Sequence, residues 1–309
     1  MEGKRGKIFY DILLVLGITL LIGAVIYFYF FYKDYSDAMQ EYAQISDEYT
    51  VTAKDRPEEN EDEPEYTFVS EDDSESAVYD TKETDETEVV QGSAPVHHID
   101  YFKGDISRKR LLPVVVTPWY ELISVNVAGL KRRNADVRGW IFFENDDISY
   151  PILQGTDNEH YLNVTISGAA SKAGSIFMDY DNAPDLSDMR TVIYGHNMRN
   201  TSMFGKLKYY KYPGYYEDNR YFQIITESHL YRYEIFSCFD IADTQVDMVK
   251  TDYEANEDYR LFIDHLKNKS SIRDNLYTSE NTKTVSLVTC SNTGRRLMVT
   301  GALVESVNR

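Results

Sequence analysis

Three side chains able to carry acyl-transfer chemistry stand where apolar runs end. Residues 285–290, VSLVTC, close on a hydroxyl and then a thiol, Cys290. Residues 192–198, VIYGHNM, lead through Gly195 to His196. Residues 294–304, GRRLMVTGALV, open on two arginines, and only SNTGR separates Cys290 from Arg296. A hairpin that tight would bring Arg296 back beside Cys290. A thiolate is the effective sulfur nucleophile, and a neighbouring imidazolium both lowers its pKa and protonates the leaving amine. A fixed guanidinium can hold a carbonyl oxygen as negative charge develops on it. The residues alone leave two alternatives open. His265, on a stretch with helical spacing, is as eligible a partner for Cys290 as His196, and Cys238 could pair with Cys290 as a disulfide.

These residues need a scaffold of short strands. Apolar or alternating runs at 137–143, 148–153, 175–178, 191–194, 221–226, 230–239, 285–289 and 297–304 read as strands. The run from Leu230 alternates, with Tyr231, Tyr233, Ile235 and Ser237 on one face and Arg232, Glu234, Phe236 and Cys238 on the other, as a half-buried strand would. Helical spacing predicts helices over 117–133 (Trp119, Leu122, Val125, Val127, Leu130) and 255–269 (Tyr259, Phe262, Ile263, Leu266). About eight short strands with two or three helices point to a mainly β domain, a closed barrel or sandwich.

Upstream, the composition changes twice. Residues 12–32, ILLVLGITLLIGAVIYFYFFY, are long enough to cross a bilayer and end in an aromatic row suited to the membrane interface. The run is longer than the core of a cleaved signal peptide, so a retained anchor is the preferred reading. Lys4, Arg5 and Lys7 before it predict a cytoplasmic N-terminus and an extracytoplasmic remainder. Residues 34–100 then carry 22 Asp/Glu against 3 Lys/Arg, which equals the net charge of −19 of the whole chain. So acidic and apolar-poor a segment reads as a solvated spacer, although residues 34–48 could extend the membrane helix by a few turns. The expected layout is therefore a cytoplasmic N-terminus at 1–11, an anchor at 12–32, an acidic linker at 33–104 and a folded domain at 105–309. No zinc spacing, Walker loop, dinucleotide fingerprint or basic nucleic-acid face is present. No metal, cofactor or nucleic-acid partner is expected.

Several motifs together resemble one family. Leu287-Val288-Thr289-Cys290 resembles the sortase signature Leu-x-Thr-Cys, and Tyr194-Gly195-His196-Asn197-Met198 is similar to the class B form of the sortase histidine motif. Gly139-Trp140-Ile141, YPILQG at 150–155, DNEHYL at 157–162, GSIFMD at 174–179 and Ser202-Met203-Phe204 also resemble class B, in the right order from about residue 118 to the C-terminus. The resemblance implies a closed eight-stranded β-barrel with peripheral helices, one of them near 255–269. It implies Cys290 as nucleophile on a Thr carbonyl in a C-terminal sorting motif of secreted proteins, His196 as general acid and base, and Arg296 as holder of the carbonyl. It selects His196 over His265. By position, Asn158, Leu162, Tyr194 and Thr289 match residues lining the family's substrate groove. The acceptor implied is a cell-wall peptide amine or, in some relatives, a pilin lysine, in a Gram-positive-type envelope. A non-catalytic binding module on the same fold is opposed by the intact Cys, His and Arg, and the Ser-His-Gly-Cys signature of another cysteine transpeptidase class is absent. Two departures stand out. Ser286 occupies a place where Thr is commoner, and the short Cys-to-Arg interval leaves two adjacent arginines. Arg296 is preferred to Arg295 because it directly precedes the apolar strand.

Overall fold

The computed structural model describes residues 2–56, 117–290 and 294–309. Helix α1 (Glu2–Tyr49) leads into strand β1 (Thr50–Thr52), and β2 (Ile123–Val125) and helix α2 (Val127–Arg133) follow the acidic run. Then come β3 (Val137–Phe143), β4 (Ser149–Leu153), β5 (Ile176–Met178), β6 (Arg190–His196), helix α3 (Pro213–Asp218), β7 (Tyr221–Ile225) and β8 (His229–Ala242). Helix α4 (Glu257–Lys269) precedes the last two strands, β9 (Thr284–Cys290) and β10 (Arg295–Asn308). Eight strands close into a barrel in the order β10-β8-β7-β3-β4-β5-β6-β9. Two neighbour pairs, β4–β5 and β6–β9, are parallel, and the others are antiparallel.

The barrel interior is filled by side chains such as Ile141, Phe222, Leu287 and Val299, all essentially inaccessible to water. Strand β8 shows how a neighbour alters a sequence pattern. Alternation predicts one wet face, yet Ile235, Phe236, Ser237 and Cys238 are buried in succession. Helix α4 covers the outer side: the Ser237 hydroxyl donates to Leu266 O at 2.9 Å, and the Ser270 hydroxyl accepts the Cys238 N–H at 3.0 Å. The helix starts on the Asn256 cap, which accepts the Tyr259 N–H, and it buries Tyr259, Ile263 and Leu266 along one stripe. Cys238 is thereby a buried free thiol, its pKa pushed up to about 12 by burial, and it forms no disulfide.

Two stretches differ from their expected form. Residues 117–133 are not one helix: a 3₁₀ turn at Trp119–Glu121 and strand β2 precede α2. The β-branched Ile123 and Val125 pair with β1, and the side chain of Asn126 accepts the Gly129 N–H at 2.8 Å, so the helix begins only there. The second difference concerns the acidic linker expected at 33–104. Residues 57–104, and the domain boundary expected at 105, lie outside the described residues. Residues 33–56, however, belong to the folded unit. Helix α1 continues unbroken past residue 32 and buries Ala38, Tyr42 and Ile45 against the barrel. Strand β1 then pairs antiparallel with β2, Thr52 opposite Ile123, so both flanks of the acidic run are fastened to one structure. The few apolar residues among the acids of 34–49 fall on one helical face, which is why this part folds. The first half of α1 does the opposite: from Ile12 to Phe30, and again at Tyr32, its large apolar side chains are exposed, and it is long and apolar enough to cross a bilayer.

Candidate active site

Strand register assembles the site. The parallel pairing of β6 with β9 sets His196 beside Cys290 and Gly195 beside Thr289. Strand β10 runs antiparallel on the other side of β9, with Met298 opposite Val288. The paired stretch ends there, and Arg296 lies two residues before it, at the end of the barrel where β9 closes on Cys290. Three adjacent strands thus deliver the three candidate residues to one end of the barrel. His265 does not join them; it is exposed on α4.

Gly195 has a steric role. A Cβ there would lie 2.4 Å from Ile176 Cδ1 and 2.7 Å from Phe204 Cδ2, so a larger residue would push the strand end carrying His196 out of register. The His196 ring is held by its Nε2, 2.6 Å from the carbonyl of Leu162. A carbonyl only accepts, so Nε2 carries the proton and Nδ1 is left to exchange one. Leu162 ends a 3₁₀ turn, His160–Leu162, whose start is fixed by the Asp157 carboxylate accepting the N–H groups of Glu159 and His160 at 2.8 Å each. Those two bonds hold the Asp157 pKa below its ordinary value.

A cavity of about 1210 Å³ opens here, lined by Asn158, Leu162, Tyr194, His196 and Arg296 and, on the far side, by the segment around Val246 to Asp252. Arg296 faces it, with its Nε donating to Asp243 Oδ1 at 3.2 Å, whereas Arg295 is exposed and does not line it. Asn158 and Tyr194 converge on one residue that the sequence reading did not single out. Asp179 Oδ2 accepts the Tyr194 hydroxyl at 2.8 Å and the Asn158 amide at 3.0 Å. Burial and this carboxylate drive the Tyr194 pKa far up, so its phenol stays a neutral donor. Asp179 does close the motif at 174–179, but nothing in one dimension announces that it lies under Tyr194. Thr289, expected in the groove, does not line it. Its side chain is buried and its hydroxyl accepts the Leu297 N–H at 3.0 Å, tying β9 to β10 just behind the site. Among the described residues no group of His, Cys, Asp or Glu is placed to hold a metal ion.

A sortase domain model matches residues 143–304, more than half of the chain. The chain belongs to the sortase family. It is a class B-like cysteine transpeptidase. Sortase B of Staphylococcus aureus is 30% identical over 180 residues, covering 57% of this chain and 73% of the relative. Sortase B of Listeria monocytogenes is 32% identical over 181 residues, covering 57% and 72%. The crystal structure of Clostridium perfringens Sortase B superposes with a TM-score of 0.55 at 32% identity, covering 58% of this chain and 99% of that one. The eight-stranded barrel implied by the motifs is therefore the sortase barrel, and β6 ending in His196, β9 ending in Cys290 and β10 with Arg296 near its start meet at one end of it.

Proposed function

We propose that this sortase cleaves a C-terminal sorting motif of secreted proteins after Thr and transfers the acyl group to a cell-wall peptide amine. The observation carrying this reading is the register of β6 with β9, which sets His196 beside Cys290 at the edge of an open cavity that His196 and Arg296 line. The Cys290 thiolate attacks the Thr carbonyl while Arg296 holds the carbonyl oxygen. The C–N bond breaks, His196 gives its proton to the leaving amine, and a thioester remains. The acceptor amine then attacks the thioester, His196 takes its proton, the C–S bond breaks, and a new amide forms as the Cys290 thiolate is released. Asn158, Leu162 and Tyr194 bind the motif, and Asp179 keeps the first and last of these in place. Staphylococcus aureus sortase B has been solved with a substrate and a Sortase B with Gly3, which supports a peptide donor and a short peptide acceptor. In the same reading the first half of α1 is a single membrane anchor, with the N-terminus cytoplasmic and the barrel outside.

The test is amine-dependent exchange. The purified chain is incubated with a set of sorting-motif peptides, with and without triglycine. The reading predicts a ligated product that rises with triglycine and vanishes in Cys290→Ala. Cleavage that is indifferent to added amine would refute transfer, and activity in Cys290→Ala would refute the nucleophile.

A further inference from the structure

The junction between the apolar half of α1 and the barrel has no slack. Tyr32 ends the apolar run. Two residues later Asp34 accepts the Lys172 N–H at 3.3 Å, and Tyr35 donates to the Ser202 hydroxyl at 3.0 Å. Three residues of helix advance about 4.5 Å. Nearly two turns further on, Glu41 accepts the Ser167 N–H at 3.0 Å. Tyr42, buried, donates to Gly174 O at 2.7 Å, lies 2.9 Å from the Ser175 hydroxyl, and packs edge-on against Tyr150 with ring centres 5.7 Å apart. The helix ends with Tyr49 O accepting the Asn126 N–H at 2.8 Å, and β1 then joins β2.

Strand direction says which end of the barrel these contacts touch. His196 ends β6. Strand β5 is antiparallel to β6, so Gly174 and Ser175, just before β5, lie at the His196 end. Strand β4 is parallel to β5, so Tyr150 near its start lies there too. Ser202 is in the loop after His196, and that loop folds back so that the Phe204 N–H donates to His196 O at 3.0 Å. The β7–β8 turn, with Ser228 in it, is at the opposite end, where β10 finishes with Asn308 opposite His229. The part of α1 nearest the apolar run therefore touches the catalytic end, and the part farthest from it reaches away.

We propose that α1 is a rigid strut that holds the catalytic end of the barrel against the bilayer surface, so that the enzyme works on substrates presented at that surface and not at the reach of a flexible tether. The inference rests on the reading of residues 12–32 as a membrane anchor. It also assigns a second role to Tyr35 and Tyr42, which brace the two loops around His196: one carries Ser202, and the other links Gly174 to the turn whose Leu162 carbonyl holds the imidazole.

The test uses the full chain reconstituted in vesicles. In a Cys290→Ala background, where the remaining Cys238 is buried, single cysteines are introduced as Asn200→Cys at the catalytic end and Ser228→Cys at the opposite end, both at exposed positions. Each is labelled, and energy transfer to a headgroup dye is measured. The proposal predicts the label at 200 nearer the bilayer by about 20 Å, the length of a seven-residue strand. Equal distances or the reverse order, in a chain that remains in the vesicles, would overturn the strut while leaving the anchor intact. A chain that does not stay with the vesicles would overturn the anchor and the strut together. A second arm inserts ten Gly/Ser residues between Tyr32 and Lys33 in the otherwise wild-type chain. Turnover of a free peptide should be unchanged, and turnover of the same peptide fixed to the vesicle by a lipid tail should fall about fivefold or more. An equal rate on the fixed peptide would contradict surface working.

Discussion

Two arginines flank β9 from opposite ends, and their surroundings set them apart. Arg190 starts β6 and is inaccessible to water. Its guanidinium donates to the carbonyls of Lys250 and Met248 at 2.6 and 2.5 Å and to the Ser286 hydroxyl at 3.2 Å, and lies 4.5 Å from the centre of the Phe262 ring. Among the described residues it forms no ion pair, and burial lowers its pKa to about 10. Arg296 is the second residue of β10, is partly exposed, faces the cavity and has Asp243 as its ion-pair partner. A buried guanidinium without a carboxylate is costly, so Arg190 is retained for what its donors hold: the segment that forms the far wall of the cavity. The same residue type thus holds a wall of the groove from behind at one position and lines the cavity itself at the other.

The largest effect that would break this comparison is on Arg296. Arg296→Ala should lower kcat about 100-fold or more, on the scale of losing an oxyanion donor, with thermal stability little changed. Arg295→Ala, one residue away but exposed, should stay near wild type. If the two variants exchanged these outcomes in a peptide-turnover assay, the assignment to Arg296 would be wrong. Next in size is Arg190→Met, which leaves two buried carbonyls unpaired and should cost about 2–4 kcal/mol in denaturant unfolding. Its KM for a motif peptide should rise more than its kcat falls, because the wall moves and the strand ends do not. A kcat loss alone would place Arg190 in the chemistry. Smaller still is Asp243→Asn. The pair is partly exposed, so turnover should change less than about threefold, and a large loss would mean that Arg296 depends on Asp243 for its aim.

Much of the site was legible because it sits at strand ends. An apolar run closing on Cys290 and another closing on Gly195-His196 show in one dimension where each side chain emerges. The choice of His196 over His265 needed the parallel pairing of β6 with β9, a contact that periodicity cannot express, and the family motifs supplied it in advance. Asp179 and Arg190 stayed hidden for the same reason, since each acts on residues distant in sequence. Thr289 was placed in the groove by motif position, yet the antiparallel return of β10 turns its hydroxyl to Leu297. Helix α1 does extend over 34–48, as the sequence allowed, but the charge density of the acidic run masked Ala38, Tyr42 and Ile45, whose single face docks α1 on the barrel. Residues 117–133 misled because their apolar spacing also suits a strand followed by a short helix, and Asn126 marks the change.

The central claim is that strand register makes Cys290 the acyl carrier. Its most direct measurement is mass mapping of the enzyme trapped with a sorting-motif peptide in the absence of amine. The account predicts one hydroxylamine-sensitive acyl adduct, located on the peptide that contains Cys290 and removed by added triglycine. An adduct on Cys238, or turnover with no adduct at Cys290, would contradict it.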